Sequence, residues 1–172
     1  MIKAYLATSF FSEPGFEWTA KVAEQIRKNT EIDLYVPQEN GEINDKENND
    51  SIGAIDIADG DNAYLEKSNI LIASLDGVEI DSGVSAEIGY FSGLINSELK
   101  LMAKPKTRII VGVYTDIRRN GTGDNRFYIN LYTKGLVEKY GFVVNSTDEL
   151  IEKLIFLEKT IKEEVNNYGG IL

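Results

Sequence analysis

The stretch Asp76-Gly77-Val78-Glu79-Ile80-Asp81-Ser82-Gly83-Val84-Ser85-Ala86-Glu87-Ile88-Gly89-Tyr90 carries four carboxylates and no lysine or arginine. It follows the apolar run Ile70-Leu71-Ile72-Ala73-Ser74-Leu75, which reads as a buried strand, and it leads into a helical pattern through Leu94. Ligands of open α/β sheets bind at the carboxyl ends of strands, where such loops sit. A basic loop there would suit phosphate. An acidic one suits chemistry at a carbon centre or on a sugar. Glu87 falls in the opening turns of the helix, where the positive helix end favours an ionised carboxylate. Such a group is either a nucleophile toward an anomeric carbon or a glutamate that merely satisfies the dipole. Asp81 is positioned to accept hydrogen bonds from sugar hydroxyls or to cap the helix. Asp76-Gly77 is a turn signal, and Asp76 is read as structural.

The chain has no cysteine and no histidine. Thiolate, Ser-His-Asp and most zinc chemistry are therefore excluded. Acid–base and nucleophilic work falls to Asp, Glu, Tyr or Lys. Asp56, Asp59 and Asp61 crowd one segment without calcium-loop spacing. Asp56 and Asp59 read as a solvated face, while Asp61 stays open. Tyr5 sits in the first strand and reads either as a core aromatic or as a residue whose hydroxyl reaches a carboxylate at the strand end, strands one and three being expected neighbours. A net charge of −10 argues against general nucleic-acid binding and an anionic membrane surface. No phosphate-binding glycine motif is present. No signal peptide is visible and no apolar run approaches a membrane span, so the chain is expected to be cytoplasmic.

The elements that must position these residues alternate. Strands are expected at Ile2–Ala7, Leu34–Val36, Ile70–Leu75, Thr107–Tyr114 and Phe142–Val144. Helices are expected at Phe16–Lys28, Ser51–Lys67, Gly83–Ile95, Tyr128–Lys139 and Thr147–Asn166. Gln38–Asp50 and Asp116–Arg126 read as polar loops, the first of them mobile. The stripes Phe16/Ala20/Ala23/Ile26 and Ile52/Ile55/Ala58/Leu65 are expected to face the core. Ala86, Gly89 and Gly93 are expected to let a helix approach the sheet closely. The alternation implies one domain over 1–172: a flavodoxin-like, doubly wound, five-stranded parallel sheet of order 2-1-3-4-5, with helices on both faces.

Four segments together resemble the nucleoside 2-deoxyribosyltransferase family. They are Tyr5-Leu6-Ala7-Thr8-Ser9-Phe10-Phe11; Asp61 ahead of Asn69-Ile70-Leu71-Ile72; the run Asp76-Gly77-x-x-x-Asp81-x-Gly83-x-x-x-Glu87-Ile88-Gly89-Tyr90; and Phe127-Tyr128-Ile129-Asn130-Leu131-Tyr132. The resemblance implies transfer of 2-deoxyribose between nucleobases, with no cofactor and no metal. It implies Glu87 as nucleophile, Tyr5 as the residue orienting it and Asp61 as the acid that exchanges a proton with the base. It further implies Asp81 on the sugar, and Asn130 and Tyr132 donated by a neighbouring subunit. Its members assemble as hexamers, trimers of dimers, and the C-terminal residue, here Leu172, approaches the shared site.

The chemistry asks for two carboxyls with different proton affinities. Cleaving an N-glycosidic bond develops positive charge on the sugar and negative charge on the base. One carboxylate must stabilise and trap the sugar, and one carboxylic acid must neutralise the base. Glu87 at a helix start is expected to be the lower of the two, and Asp61 against an apolar base pocket the higher. Partners are small deoxynucleosides and free bases. Two rival readings stand beside this one. One is an N-glycosidase that uses water as acceptor on deoxynucleosides or their 5′-monophosphates. The other is a non-catalytic nucleotide-sensing or protein-interaction module.

Overall fold

A computed structural model describes residues 1–41, 52–101, 108–126 and 128–167 of the chain. Short apolar runs form five strands: β1 (Lys3–Ala7), β2 (Asp33–Tyr35), β3 (Ile70–Ser74), β4 (Ile109–Val113) and β5 (Gly141–Val144). All pair in parallel in the order β2-β1-β3-β4-β5, as the alternation predicts. The register sets Tyr5 beside Leu71 and Ala73 beside Gly112. Parallel neighbours require crossovers, and the helices supply them: α1 (Glu13–Asn29), α2 (Ala54–Lys67), α3 (Ser82–Leu101), α4 (Leu131–Tyr140) and α5 (Thr147–Asn167).

Strand side chains alternate between two cores. Ala4, Leu6, Ile70, Ile72, Val111 and Val113 face α1 and α5, where Val22, Ala23, Ile26, Leu150 and Leu154 are buried. Tyr5, Ala7, Leu71, Ala73 and Ile110 face the other way, against Leu65 of α2, Val84 to Ile95 of α3 and Val137 of α4. Tyr5 therefore lies on the same side of the sheet as the helices that carry Asp61 and Glu87.

Local chemistry sets the helix starts. The Ser12 hydroxyl accepts from the Gly15 amide at 3.3 Å, and Pro14 sits in the first turn of α1, where no amide is needed. Gly15 lets α1 pass the strand-one loop, since a Cβ there would lie 2.3 Å from the Ser9 carbonyl oxygen. Asp81 caps α3 through its Oδ1, which accepts from the Val84 amide at 3.1 Å. Gly77 has φ of 129° in the turn after β3, a backbone region open to glycine. Arg108 donates to the Leu65, Ser68 and Glu66 carbonyls and pairs with Glu98, so it closes the C-terminal end of α2 against α3.

Several expectations need correction. α1 begins at Glu13 rather than Phe16, and its buried stripe is Thr19, Val22, Ala23 and Ile26, while Phe16 is exposed. The apolar stripe expected on α2 is not a core face: Ile55 is 76% exposed, Ala58 is exposed, and only Leu65 is buried. Ala86, Gly89 and Gly93 do not mediate close packing. Ala86 and Gly93 are exposed, and a Cβ added to either glycine would meet nothing. α4 starts at Leu131, three residues later than predicted, because Asn130 caps it. Pro37–Glu39 forms a short 3-10 turn inside the expected loop, and residues 42–50 lie outside the described residues.

Candidate active site

The loops after β1 and β3 and one face of α2 enclose a cavity of about 270 Å³ at the carboxyl edge of the sheet. Three of the residues singled out from sequence line it together: Asp61, Asp81 and Glu87. Thr8, Phe10, Phe11, Pro37 and Ile57, with Gly83 and Val84 of α3, complete the lining, which includes no lysine or arginine among the described residues. Phe11 is 73% exposed, and its ring packs against that of Phe10 with centroids 4.8 Å apart. Thr8 is buried, and its hydroxyl hydrogen-bonds that of Thr19 at 2.9 Å, which anchors the strand-one loop to α1.

Tyr5 lies beneath the carboxylates and is fully buried. Its hydroxyl donates to Glu87 Oε1 at 2.6 Å. That short bond crosses from β1 to α3, and the adjacency of β1 and β3 makes it possible. A tyrosine ladder backs the site: Tyr5 packs against Tyr35, and Tyr35 stacks on Tyr64 of α2 with centroids 3.5 Å apart. Asn40 donates to the Tyr35 hydroxyl at 3.1 Å. Sequence reading did not single out Tyr35 or Tyr64. The available signal was an aromatic at the end of β2 and another one helical turn after Asp61.

Electrostatics here departs from expectation. Glu87 is the sixth residue of α3, beyond the first turn where the helix end acts. Burial dominates instead and pushes its carboxyl up to about 7. The Tyr5 hydrogen bond pulls the other way, and the charges of Asp61 and Asp81 add to the rise. Asp61 is raised too, first by burial, with the Tyr5 hydroxyl offsetting part of the effect. Its Oδ1 is buried without a hydrogen-bond partner among the described residues. A buried acceptor left bare is costly unless a proton or a ligand meets it. Tyr5 itself is raised by burial and by both carboxylates, so it remains a donor. The expected order, with Glu87 the lower, is therefore corrected: burial raises both groups.

Asn130 and Tyr132 do not join this cavity. They line a separate groove between the Val78–Ser82 loop and α4. Asn130 Oδ1 accepts from the Tyr132 and Thr133 amides as a helix cap, and Tyr132 is 77% exposed. Asp76 proves structural, as read: it accepts from the Thr115 amide and hydroxyl and from the Asp116 amide, tying the β3 loop to the β4 loop. Leu172 lies outside the described residues.

Residues 4–147 match the family model described as nucleoside 2-deoxyribosyltransferase. The chain belongs to that family. Among solved structures, a conserved protein from Enterococcus faecalis V583 is 34% identical, with a TM-score of 0.75 over 95% of this chain and 99% of that one. A 2-deoxyribosyltransferase from Leishmania mexicana has the same fold at 16% identity, with a TM-score of 0.60 over 90% of this chain and 97% of that one. A CMP N-glycosidase from Clostridium botulinum also shares it, at 12% identity and a TM-score of 0.53 over 88% and 97% of the two chains. No curated protein matches this chain. The family acts on nucleosides and nucleobases. Among the described residues no helix is long and apolar enough to cross a membrane.

Proposed function

We propose that the chain, as one domain over 1–172, transfers 2-deoxyribose between nucleobases by double displacement. The observation that carries this reading is the pair of raised carboxyls, Glu87 and Asp61, flanking Tyr5 beside a cavity with no lysine or arginine among its described lining residues. Tyr5 holds Glu87 Oε1, leaving Oε2 to attack C1′ of the sugar. The C1′–N bond breaks as the C1′–O bond forms, and its electrons go to the departing base. Asp61 donates its proton to that base. An incoming base then gives a proton back to Asp61, its nitrogen attacks C1′, and Glu87 leaves as carboxylate. Asp81 Oδ1 is occupied as a cap, so Oδ2 is the atom that meets a sugar hydroxyl. A 2-hydroxyl on the sugar would destabilise the cationic transition state and crowd the nucleophile, which favours 2-deoxy substrates.

The pair works while it holds one proton. With both carboxyls protonated Glu87 cannot attack, and with both ionised Asp61 cannot donate. Coupled groups titrate as a pair. A base seated against the bare Asp61 oxygen draws the shared proton to Asp61. Activity therefore peaks in the weakly acidic range and declines as pH rises through about 7, where Glu87 ionises in the free site.

The N-glycosidase reading uses the same first half-reaction with water as acceptor. A 5′-monophosphate substrate is disfavoured, because the described lining of the cavity offers carboxylates and no basic side chain. The exposed Asn130 and Tyr132 serve the cavity of a second copy in a homo-oligomer, and the protein acts in the cytoplasm. Incubation with thymidine and adenine tests the function directly. Deoxyadenosine with little free deoxyribose supports transfer. Free deoxyribose alone, unaffected by adenine, supports hydrolysis.

A further inference from the structure

A second cavity, about 520 Å³, opens at the same edge of the sheet beyond β4 and β5, between the 117–126 loop and α4. The proposed transfer makes no use of it. Its size falls in the range of small-molecule sites. Arg119, Arg126 and Lys134 line it against a single carboxylate, Glu138, which Lys134 engages at 3.3 Å. Three of the five arginines in the chain fall between positions 118 and 126, although the net charge is −10. Such a local excess of cations in an acidic protein selects anions.

The cations are held in place. Arg119 Nη1 donates to the Thr115 and Asp116 carbonyls at 3.2 and 2.9 Å, which anchors the guanidinium by one of its nitrogens. The Arg126 guanidinium lies 4.9 Å from the centre of the Tyr128 ring. Arg118 differs, being clamped by Asp116, and it does not line the cavity.

An independent observation points to a ligand. Tyr114, just past β4, lines the cavity and is only 7% exposed, yet its hydroxyl has no hydrogen-bond partner among the described residues. Leaving a buried hydroxyl unpaired is unfavourable. Burial and the nearby Asp116 and Asp76 charges hold its proton on, so the group offers a donor. Two guanidiniums and a phenol present more donors than a single carboxylate oxygen can use. A phosphate group, with its several acceptor oxygens, matches them. A bare phosphate would leave most of the volume empty, and Ile129 and Val143 supply apolar wall for the remainder of a larger molecule.

We propose that this cavity binds a small phosphate-bearing molecule of mononucleotide size, its phosphate held by Arg119, Arg126 and the Tyr114 hydroxyl. The site is distinct from the carboxylate cavity and stands whether or not the transfer reaction does.

Titration calorimetry with AMP, inorganic phosphate and adenosine tests it. AMP is a suitable probe because its 2-hydroxyl makes it a poor deoxyribosyl donor. Saturable AMP binding is expected below about 1 mM. Inorganic phosphate should compete with AMP, and adenosine should not. Arg119→Gln and Arg126→Gln should each weaken AMP about tenfold, and Tyr114→Phe should weaken it severalfold. Should Arg119→Gln fail to fold, Arg126→Gln decides, since melting curves will show whether that loop variant is intact. The proposal is overturned if AMP shows no saturable binding up to about 10 mM. It is equally overturned if AMP affinity is unchanged in the folded arginine variants, or if adenosine displaces AMP as well as phosphate does.

Discussion

The two cavities at the carboxyl edge of the sheet have opposite character. The one over β1 and β3 is lined by Asp61, Asp81 and Glu87 with no cation among its described residues; the one beyond β4 and β5 is lined by Arg119, Arg126 and Lys134 against one carboxylate. A single residue marks the border. Asp76 leaves β3 and binds the Thr115 and Asp116 backbone beyond β4, so both loops share one anchor. The comparison teaches that position at the strand ends brings a ligand to the edge, while side-chain charge decides which part of it can settle there. The acidic side suits a neutral deoxynucleoside whose sugar becomes cationic. The basic side suits a phosphate.

Breaking the acidic side should give the largest effect. Glu87→Gln should lower base exchange by at least about three orders of magnitude, as expected when a nucleophile is lost, with circular dichroism unchanged. The arginine variants of the other cavity should leave exchange intact, so the two sides separate cleanly. Next comes Asp61→Asn, which should cost about 10²–10³-fold in kcat. That loss should be smaller for substrates with acidic, readily departing bases. If the loss is equal across bases of different acidity, Asp61 is not the proton donor.

Tyr5→Phe should reduce kcat about tenfold, the cost of one hydrogen bond to a charged group. It also carries a signed pH effect. The Tyr5 bond lowers the Glu87 carboxyl, so its loss lets burial raise Glu87 further. The alkaline decline of the rate profile should then move to higher pH. A profile displaced to lower pH would contradict the role assigned to Tyr5.

The smallest effect is on stability. The folded state holds the Glu87 proton more tightly than an ordinary glutamate at 4.5, up to about 7. The stability gained from that proton is complete below about pH 4.5 and is lost as pH rises through about 7. Glu87→Gln removes this loss, so the variant should be more stable than the parent by up to about 3 kcal/mol at pH 8, with the gain vanishing near pH 4.5. Thermal melts at both pH values measure the difference.

Much of this was legible in the sequence. Five short apolar runs alternating with helical patterns imply the parallel sheet and its order, and the strand-end rule brings Asp81 and Glu87 to one edge, whereas the site roles of Asp61 and Tyr5 rest on the family resemblance. What escaped depended on tertiary context. Burial outweighs the helix end at Glu87, and no local pattern reports how deep a side chain sits. Ile55 belongs to the apolar stripe of α2, yet it is exposed, while Ile57 outside that stripe lines the carboxylate cavity. Asn130 is implied by resemblance as a residue for a neighbouring subunit's site, and in the single chain it caps α4. Asp116–Arg126 reads as a polar loop, and its three arginines are the available signal of the basic cavity, which forms only when α4 folds back against that loop.

The central claim is that Glu87 captures the deoxyribosyl group covalently. Intact-protein mass spectrometry after mixing with a deoxynucleoside, without acceptor, tests it most directly. The account predicts a mass gain of one deoxyribosyl group, mapped to the peptide containing Glu87 and discharged by added base. Base exchange proceeding at full rate with no adduct at that peptide, or with the adduct on another residue, would contradict it.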